Sequence, residues 1–431
     1  MICHRIQTTV LNAQAVDQAA YRPGFACEDH LLTLTLLYER CREWNQDLWI
    51  GVADVEKAFD TVEHPSLWEA LRKIGVDDTY IRLLQTLYAH QTATVMVGQE
   101  SRKFSISRGV KQGDPISGLL FLAVMEVCFR TLQNRWKILN KRRKGQYIGF
   151  VIDDCSDVLT NLRFADDVML FAHSARDLGN MMTDFKTEAA KYGLQLHMGK
   201  TKALAIARQL LPPTIVVDSV EVEVLGPERS EKYLGRALNL HAFHRFELDS
   251  RVRNAWAAFS KFKAVFTSSA YPFAAKAKLF DAVVTPVMLY AAASWTLTKG
   301  MEDILIITQR RMLRQLLGFR RCPTEEWVEY IKRTTAQAET RYKQCGYDDW
   351  VTQSRRKKWR FARRAAIADD GRWSRRLLEW RPHFRCQPFR RVGRPNARWE
   401  DAIVAICGDS WLEAARDAYL WKALEPEFVE R

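Results

Sequence analysis

The stretch Leu162-Arg163-Phe164-Ala165-Asp166-Asp167-Val168-Met169-Leu170-Phe171 constrains this chain more than any other. Apolar side chains flank two adjacent acids, so it reads as strand, turn, strand, with carboxylates at the tip. That placement costs hydration and sets like charges side by side. A simple polar turn accommodates Asp there; a divalent cation would also cancel the repulsion. The doublet alone leaves both readings open. Four other Asp-Asp doublets, at 77–78, 153–154, 348–349 and 369–370, lie in polar, turn-like or helix-start surroundings where solvated surface is the expectation.

A second acid bears on the choice. Leu48-Trp49-Ile50-Gly51-Val52-Ala53-Asp54-Val55 is a short apolar run consistent with a buried strand, with Asp54 near its end and Lys57-Ala58-Phe59-Asp60 following at once. If the two strands are neighbours in one sheet, Asp54 and Asp166 can share two Mg²⁺ ions, since Mg²⁺ prefers a few carboxylates plus substrate phosphates. Two such ions about 3.5–4 Å apart could activate a 3′-hydroxyl and stabilise a departing pyrophosphate. Spacing alone does not make the strands adjacent.

The remaining pattern is mixed up to about residue 235 and helical afterward, an α+β body followed by an all-α part. Helices are expected at 29–44, 65–74, 78–90, 117–137 and 175–192, and a hairpin at 93–107. Residues 138–160 read as a surface excursion, and short strands are expected at 202–207, 214–217 and 220–225. A helix over 301–317 closes at Gly318.

Charge divides the chain more sharply than hydropathy does. Of a net +14 over 431 residues, sixteen Lys/Arg against four Asp/Glu fall in residues 351–400, leaving the rest nearly neutral. A polyanionic partner for that segment follows, nucleic acid ahead of membrane. Nine cysteines without a C-x-x-C argue against a disulfide framework or a zinc ribbon, and His241, His244 and Glu247 lack a fourth ligand. The apolar stretch Ala282–Trp295 is too short to span a bilayer and contains Pro286. There is no run of signal-peptide character at the N-terminus, so a soluble, intracellular protein without a membrane partner is expected.

Five segments carry a family resemblance. Val52-Ala53-Asp54-Val55-Glu56-Lys57-Ala58-Phe59-Asp60 resembles the first palm motif of reverse transcriptases. Arg108-Gly109-Val110-Lys111-Gln112-Gly113-Asp114-Pro115 resembles their template- and nucleotide-positioning motif, and Phe164-Ala165-Asp166-Asp167 their F/Y-x-D-D metal motif. Gly193-Leu194-Gln195-Leu196-His197-Met198-Gly199-Lys200-Thr201 is similar to the G-L-x-x-N-x-x-K-T motif, with His197 in place of Asn. Lys232-Tyr233-Leu234-Gly235 resembles the primer grip. They occur in family order, in the style of non-LTR (LINE-type) retrotransposons.

The resemblance implies a right-hand polymerase: partial fingers and a ferredoxin-like palm over 1–240, a helical thumb over 241–320, and a basic, mainly helical extension over 321–431. Asp54 and Asp166 would bind two Mg²⁺ (or Mn²⁺), Asp167 would assist, and the Val55 carbonyl would complete the shell. Lys57, Ala58, Phe59, Gln112, Gly113 and Lys200 would contact the deoxynucleoside triphosphate, Phe59 excluding a 2′-hydroxyl and Lys200 meeting the pyrophosphate. A core Phe and a solvated Lys are the plainer readings of those two. Tyr233, Leu234 and Gly235 would hold the primer. In the extension, Arg355, Arg356, Lys357, Lys358, Arg360, Arg363 and Arg364 interleave with aromatics, and Arg394 lies in a G-R-P-x-x-R-W stretch similar to one downstream of LINE-type polymerases. Cations there would contact RNA template or DNA target, aromatics would stack on bases, and the run could direct nuclear import. A helix face with its own small core is the alternative. Because the family's fingers begin upstream of Gln18–Phe25, the resemblance implies a fragment or an N-terminally truncated copy, and no segment within these residues resembles the endonuclease that LINE-type proteins often carry. RNA-directed DNA synthesis is the expected activity. An inactive nucleic-acid-binding remnant and a splicing maturase are its rivals, and Phe59 argues against an RNA-dependent RNA polymerase.

Overall fold

The computed structural model describes residues 1–98, 100–143, 147–152, 157–382 and 396–431. The chain forms two compact units: residues 1–33, 37–234 and 370–393, and residues 34–36, 235–369 and 394–431. Arg394, and the Asp153-Asp154 doublet, lie outside the described residues.

The first unit is built on a four-stranded antiparallel sheet. Its strands are β1 (Leu48–Ala53), β2 (Asn161–Phe164), β3 (Asp167–Ala172) and β4 (Lys202–Ile206), in spatial order β2-β3-β1-β4. Both faces are covered, which is why β1 and β3 read as nearly continuous apolar runs and not as alternation. The Pro115–Arg142 helix is started by Asp114, which accepts from the Ile116 N–H at 3.2 Å, with Pro115 at the first position. The Ala175–Ala190 helix is capped by Ser174. It crosses β1 at Gly51, where a Cβ would stand 2.2 Å from Met182 Cε. A glycine in the middle of this strand is therefore a packing requirement.

The Pro115–Arg142 helix corrects one expectation. It is long and apolar enough to cross a membrane by length and composition, longer than the Ala282–Trp295 stretch, but 83% of its most apolar window is buried. It is the core helix of the first unit: Phe129 packs on Phe185 and Trp136 donates to Asp184, both on the Ala175–Ala190 helix. The stretch expected as a surface excursion at 138–160 includes the end of this helix and a short strand pair, Phe150–Val151 with Val158–Leu159.

The second unit is helical after Arg236–Leu238. Lys299–Leu317 ends at Gly318 in the left-handed conformation, as its sequence indicates. One core runs from Leu248 through Leu316 and Tyr342 to Trp350, so packing continues across the boundary expected at 320/321.

Candidate active site

The β1–β3 register pairs Trp49 with Ala172 and Ala53 with Val168. Continued by one residue, it sets Asp54 across from Asp167. The adjacency that spacing left open is thus settled by the sheet: β1 and β3 are neighbours and their acids share one end. The β2–β3 connection is a two-residue turn closed by the Phe164–Asp167 pair. Ala165, not either aspartate, takes the left-handed conformation there, at φ +57°.

Electrostatics bear out the expected cost. Burial, then neighbouring Asp54, raises the Asp166 carboxyl above the ordinary range. Lost hydration, Asp166 and Asp54 push Asp167 up to about 6, opposed by Lys232. Mutual repulsion of this kind calls for positive charge, and two cations answer it: Lys232 beside Asp167, and Lys200, whose Nζ lies 3.7 Å from Asp54 Oδ2. Among the described residues no three His, Cys, Asp or Glu side chains stand close enough together to enclose an ion. The donors nevertheless suit Mg²⁺, a hard ion that takes one or two carboxylates with substrate phosphates and keeps several waters.

The 193–201 loop is stitched to the chain leaving β1. His197 N–H donates to the Asp54 carbonyl and Glu56 N–H to the Gln195 carbonyl, both at 2.8 Å, around a Val55–Leu196 bridge. In such a bridge the central residue's own carbonyl points away from its partner, so Val55 O is left for another contact. His197, standing where the family has Asn, also accepts from Lys200 N–H at 3.2 Å through its Nδ1, and so helps shape the turn that brings Lys200 to Asp54.

The segment resembling the nucleotide-positioning motif is fastened to the first palm motif. Val110 N–H donates to the Phe59 carbonyl at 2.7 Å and Gly109 N–H to the Val62 carbonyl at 2.8 Å. Gly109, at φ +86°, would carry a Cβ 2.7 Å from the Asp60 carbonyl oxygen, so backbone approaches backbone here. Gly113 also has a positive φ, +88°, but a Cβ there would meet nothing within 4 Å, so the chain itself leaves its backbone open. Gln112 is exposed beside it, Lys57 is exposed at φ +45°, and Ala58 is buried. Phe59 stacks on Phe121 with centroids 4.7 Å apart and planes 20° apart.

Tyr233 is 1% exposed, and its hydroxyl meets His30 Nδ1 at 3.3 Å. Its ring is therefore unavailable to a primer, and Leu234 follows it with φ +46°. Sequence reasoning missed the polar groups beneath the turn. Arg163 is fully buried, pairs with Glu126 at 3.2 Å and lies over the Phe129 ring at 4.6 Å. Gln18 and His30 are equally buried.

The basic helix differs from expectation. Trp350–Ala366 begins at Asp349, whose carboxylate accepts from Thr352 N–H at 2.9 Å. Trp350, Trp359, Trp399, Trp411 and Trp421 are at most 3% exposed, and Trp359 stacks on Trp421 at 4.0 Å. Trp373 and Trp380 are buried in the first unit, the former donating to Asp17. These rings form core and cannot stack on bases in this fold. Several cations are spent internally: Arg355 on Glu302 at 2.7 Å, Arg356 on Asp348 at 2.6 Å, and buried Lys358 on the Trp295 carbonyl. Arg363 is half-buried; Lys357, Arg360 and Arg364 are exposed, though Arg360 also pairs with Glu425 at 3.0 Å and Lys357 donates to the Leu289 carbonyl at 3.5 Å.

A cluster of acids at adjacent strand ends of an antiparallel sheet, served by cations and a fastened glycine-containing loop, is the layout of a nucleotidyl-transfer site. The sequence family described as "Reverse transcriptase (RNA-dependent DNA polymerase)" matches residues 1–238, and the chain belongs to it. It is 30% identical over 247 residues to an uncharacterized transposon-derived protein of Caenorhabditis elegans, covering 57% of this chain and 84% of that protein. It is 30% identical to a Pol polyprotein of the R2 retrotransposable element from Popillia japonica and 29% identical to that of R2DM from Drosophila melanogaster. These matches cover 56% and 51% of this chain, and only 34% and 20% of the two polyproteins. Among solved structures, apo telomerase from Candida tropicalis is similar at TM-score 0.40 and 13% identity, over 88% of this chain and 60% of that one.

Proposed function

We propose that this chain copies RNA into DNA, transferring deoxynucleotides from their triphosphates to a primer 3′-hydroxyl. The observation that carries the reading is the β1–β3 register, which gathers Asp54, Asp166 and Asp167 at one sheet end with the latter two carboxyls raised by burial and mutual repulsion. In this reading the sheet and its helices are the palm, residues before it supply part of the fingers, and residues 241–320 form the thumb.

The three aspartates, with the Val55 carbonyl, would hold two Mg²⁺ (Mn²⁺ can substitute), which supply charge stabilisation for the attacking oxygen and the departing pyrophosphate. Lys200, on a short turn beside Asp54, is placed to exchange that carboxylate for the pyrophosphate and neutralise it. Phe59, held by Phe121, would lie against the incoming sugar and exclude a 2′-hydroxyl, with Lys57 and Ala58 in the same turn. Exposed Gln112 and Gly113 would meet the nucleotide and template. The backbone turn at Leu234 and Gly235, not the Tyr233 ring, would touch the primer. Lys357, Arg360 and Arg364 offer the solvent-facing cations for template or target.

Extension of a DNA primer on an RNA template tests this reading. The chain should add dNTPs in Mg²⁺, stop when the metal is chelated, and discriminate against ribonucleotides. Salt-sensitive binding of the primer–template with no incorporation, in a chain that is folded by circular dichroism, would make it a binding remnant instead.

A further inference from the structure

The residue that fixes the acid-bearing turn lies far from it in sequence. Residues 17–19 run alongside the outer edge of β2: Gln18 bridges Arg163 in parallel, Arg163 N–H donates to the Asp17 carbonyl at 2.8 Å, and Ala19 N–H donates to the Arg163 carbonyl at 3.1 Å. From this added edge the Gln18 side chain, fully buried, reaches the turn. Its Oε1 accepts from the Ala165 N–H at 3.2 Å and from the Ala20 N–H at 2.9 Å. Two donors on one oxygen fix the orientation of the carboxamide. Its Nε2 is buried without a hydrogen-bond partner among the described residues. Burying that NH₂ group opposes folding. Methionine would fill the same volume without that cost, so what the glutamine alone supplies is the acceptor.

The acceptor falls where the backbone needs it. Ala165 is a residue with a Cβ at φ +57°, a conformation that persists only when its surroundings enforce it. Asp166 and Asp167 follow directly, and their directions are set by this peptide. We propose that Gln18 is the positioning residue of the turn: by holding the Ala165 N–H it keeps the two aspartates aimed as one metal-binding pair, an inference that rests on the metal-ligand reading of those acids. Outer-shell hydrogen bonds of this kind change metal affinity by about tenfold to a hundredfold when removed.

The test uses Mn²⁺ binding followed by electron paramagnetic resonance, alongside primer extension, in wild type, Q18M, Q18E and Q18M/A165G. Q18M should fold, weaken Mn²⁺ at least about tenfold and lower kcat, with KM for dNTP and affinity for primer–template changed little. Q18E keeps an acceptor of the same reach and should bind Mn²⁺ far better than Q18M. In Q18M/A165G glycine adopts the left-handed turn without the clamp, and Mn²⁺ affinity should recover in part. If Q18M does not fold, recovery of folding in the double variant supports the clamp, and its failure to recover overturns it. Wild-type Mn²⁺ affinity in Q18M, or equal loss in Q18M and Q18E, also overturns it. Absence of Mn²⁺ binding in wild type would instead remove the metal-ligand reading itself.

Discussion

Phe59 is partly buried and backed by fully buried Phe121, whose ring lies nearly parallel to its own. Shortening it should open the space a 2′-hydroxyl needs: F59V is expected to lower the dNTP-to-rNTP ratio of kcat/KM by about tenfold to a hundredfold, the scale of a few buried carbons. His30 makes a stability prediction. Burial, aided by the Arg163 charge, depresses its pKa from 6.5 to about 3, so the fold keeps it neutral. The unfolded chain takes up a proton the folded chain refuses, and stability falls as pH drops from 6.5 toward 3. H30Q, which keeps an acceptor for Tyr233, should remove about 1.4 kcal/mol per pH unit from that slope in urea titrations. The acids of the site were legible in sequence because apolar strands surround them. Gln18, His30 and Arg163 were not, since an isolated buried polar residue has no periodicity and only its partners disclose it. Arg163 left one signal, a charge between the apolar residues Leu162 and Phe164.

Elements were legible where a cap or breaker marks their ends, as at Asp114-Pro115, Ser174 and Gly318. Contacts between elements were not. The motif at 108–115 reads as a glycine-containing loop, yet which glycine is crowded depends on its hydrogen bonds to residues 59 and 62. G109A would combine a strained φ with a Cβ against the Asp60 carbonyl. It should cost about 2–3 kcal/mol of unfolding free energy and raise KM for dNTP, whereas G113A should cost only the strain of positive φ. Urea unfolding with steady-state kinetics on both variants checks the contrast. Two of the other Asp-Asp doublets show the alternative use of acids. Asp77 and Asp349 cap helices, while Asp78 and Asp348 pair with Arg72 and Arg356.

Across the whole molecule, the +14 charge is less available than its arithmetic suggests. The basic helix is also buried along one face in the second unit, and its tryptophans and most of its cations serve that packing. Composition reported the charge correctly and could not report which side chains a fold would consume. K357Q/R360Q/R364Q should therefore weaken single-stranded RNA binding and reduce its log–log salt slope by about 2, with the fold retained, since the exposed Arg360–Glu425 pair is worth at most about 1 kcal/mol. W359A should instead cost about 3–5 kcal/mol of stability. The central claim is that Asp54 and Asp166 converge to serve one reaction, and the most direct measurement is the Mg²⁺-dependent rate of single-nucleotide addition at saturating primer–template for wild type, D54N, D166N and K200A. D54N and D166N should each lose at least about a thousandfold, roughly 4 kcal/mol of barrier, with nucleic-acid affinity retained, while K200A should lose about a hundredfold. Wild-type rates in either aspartate variant would contradict the account.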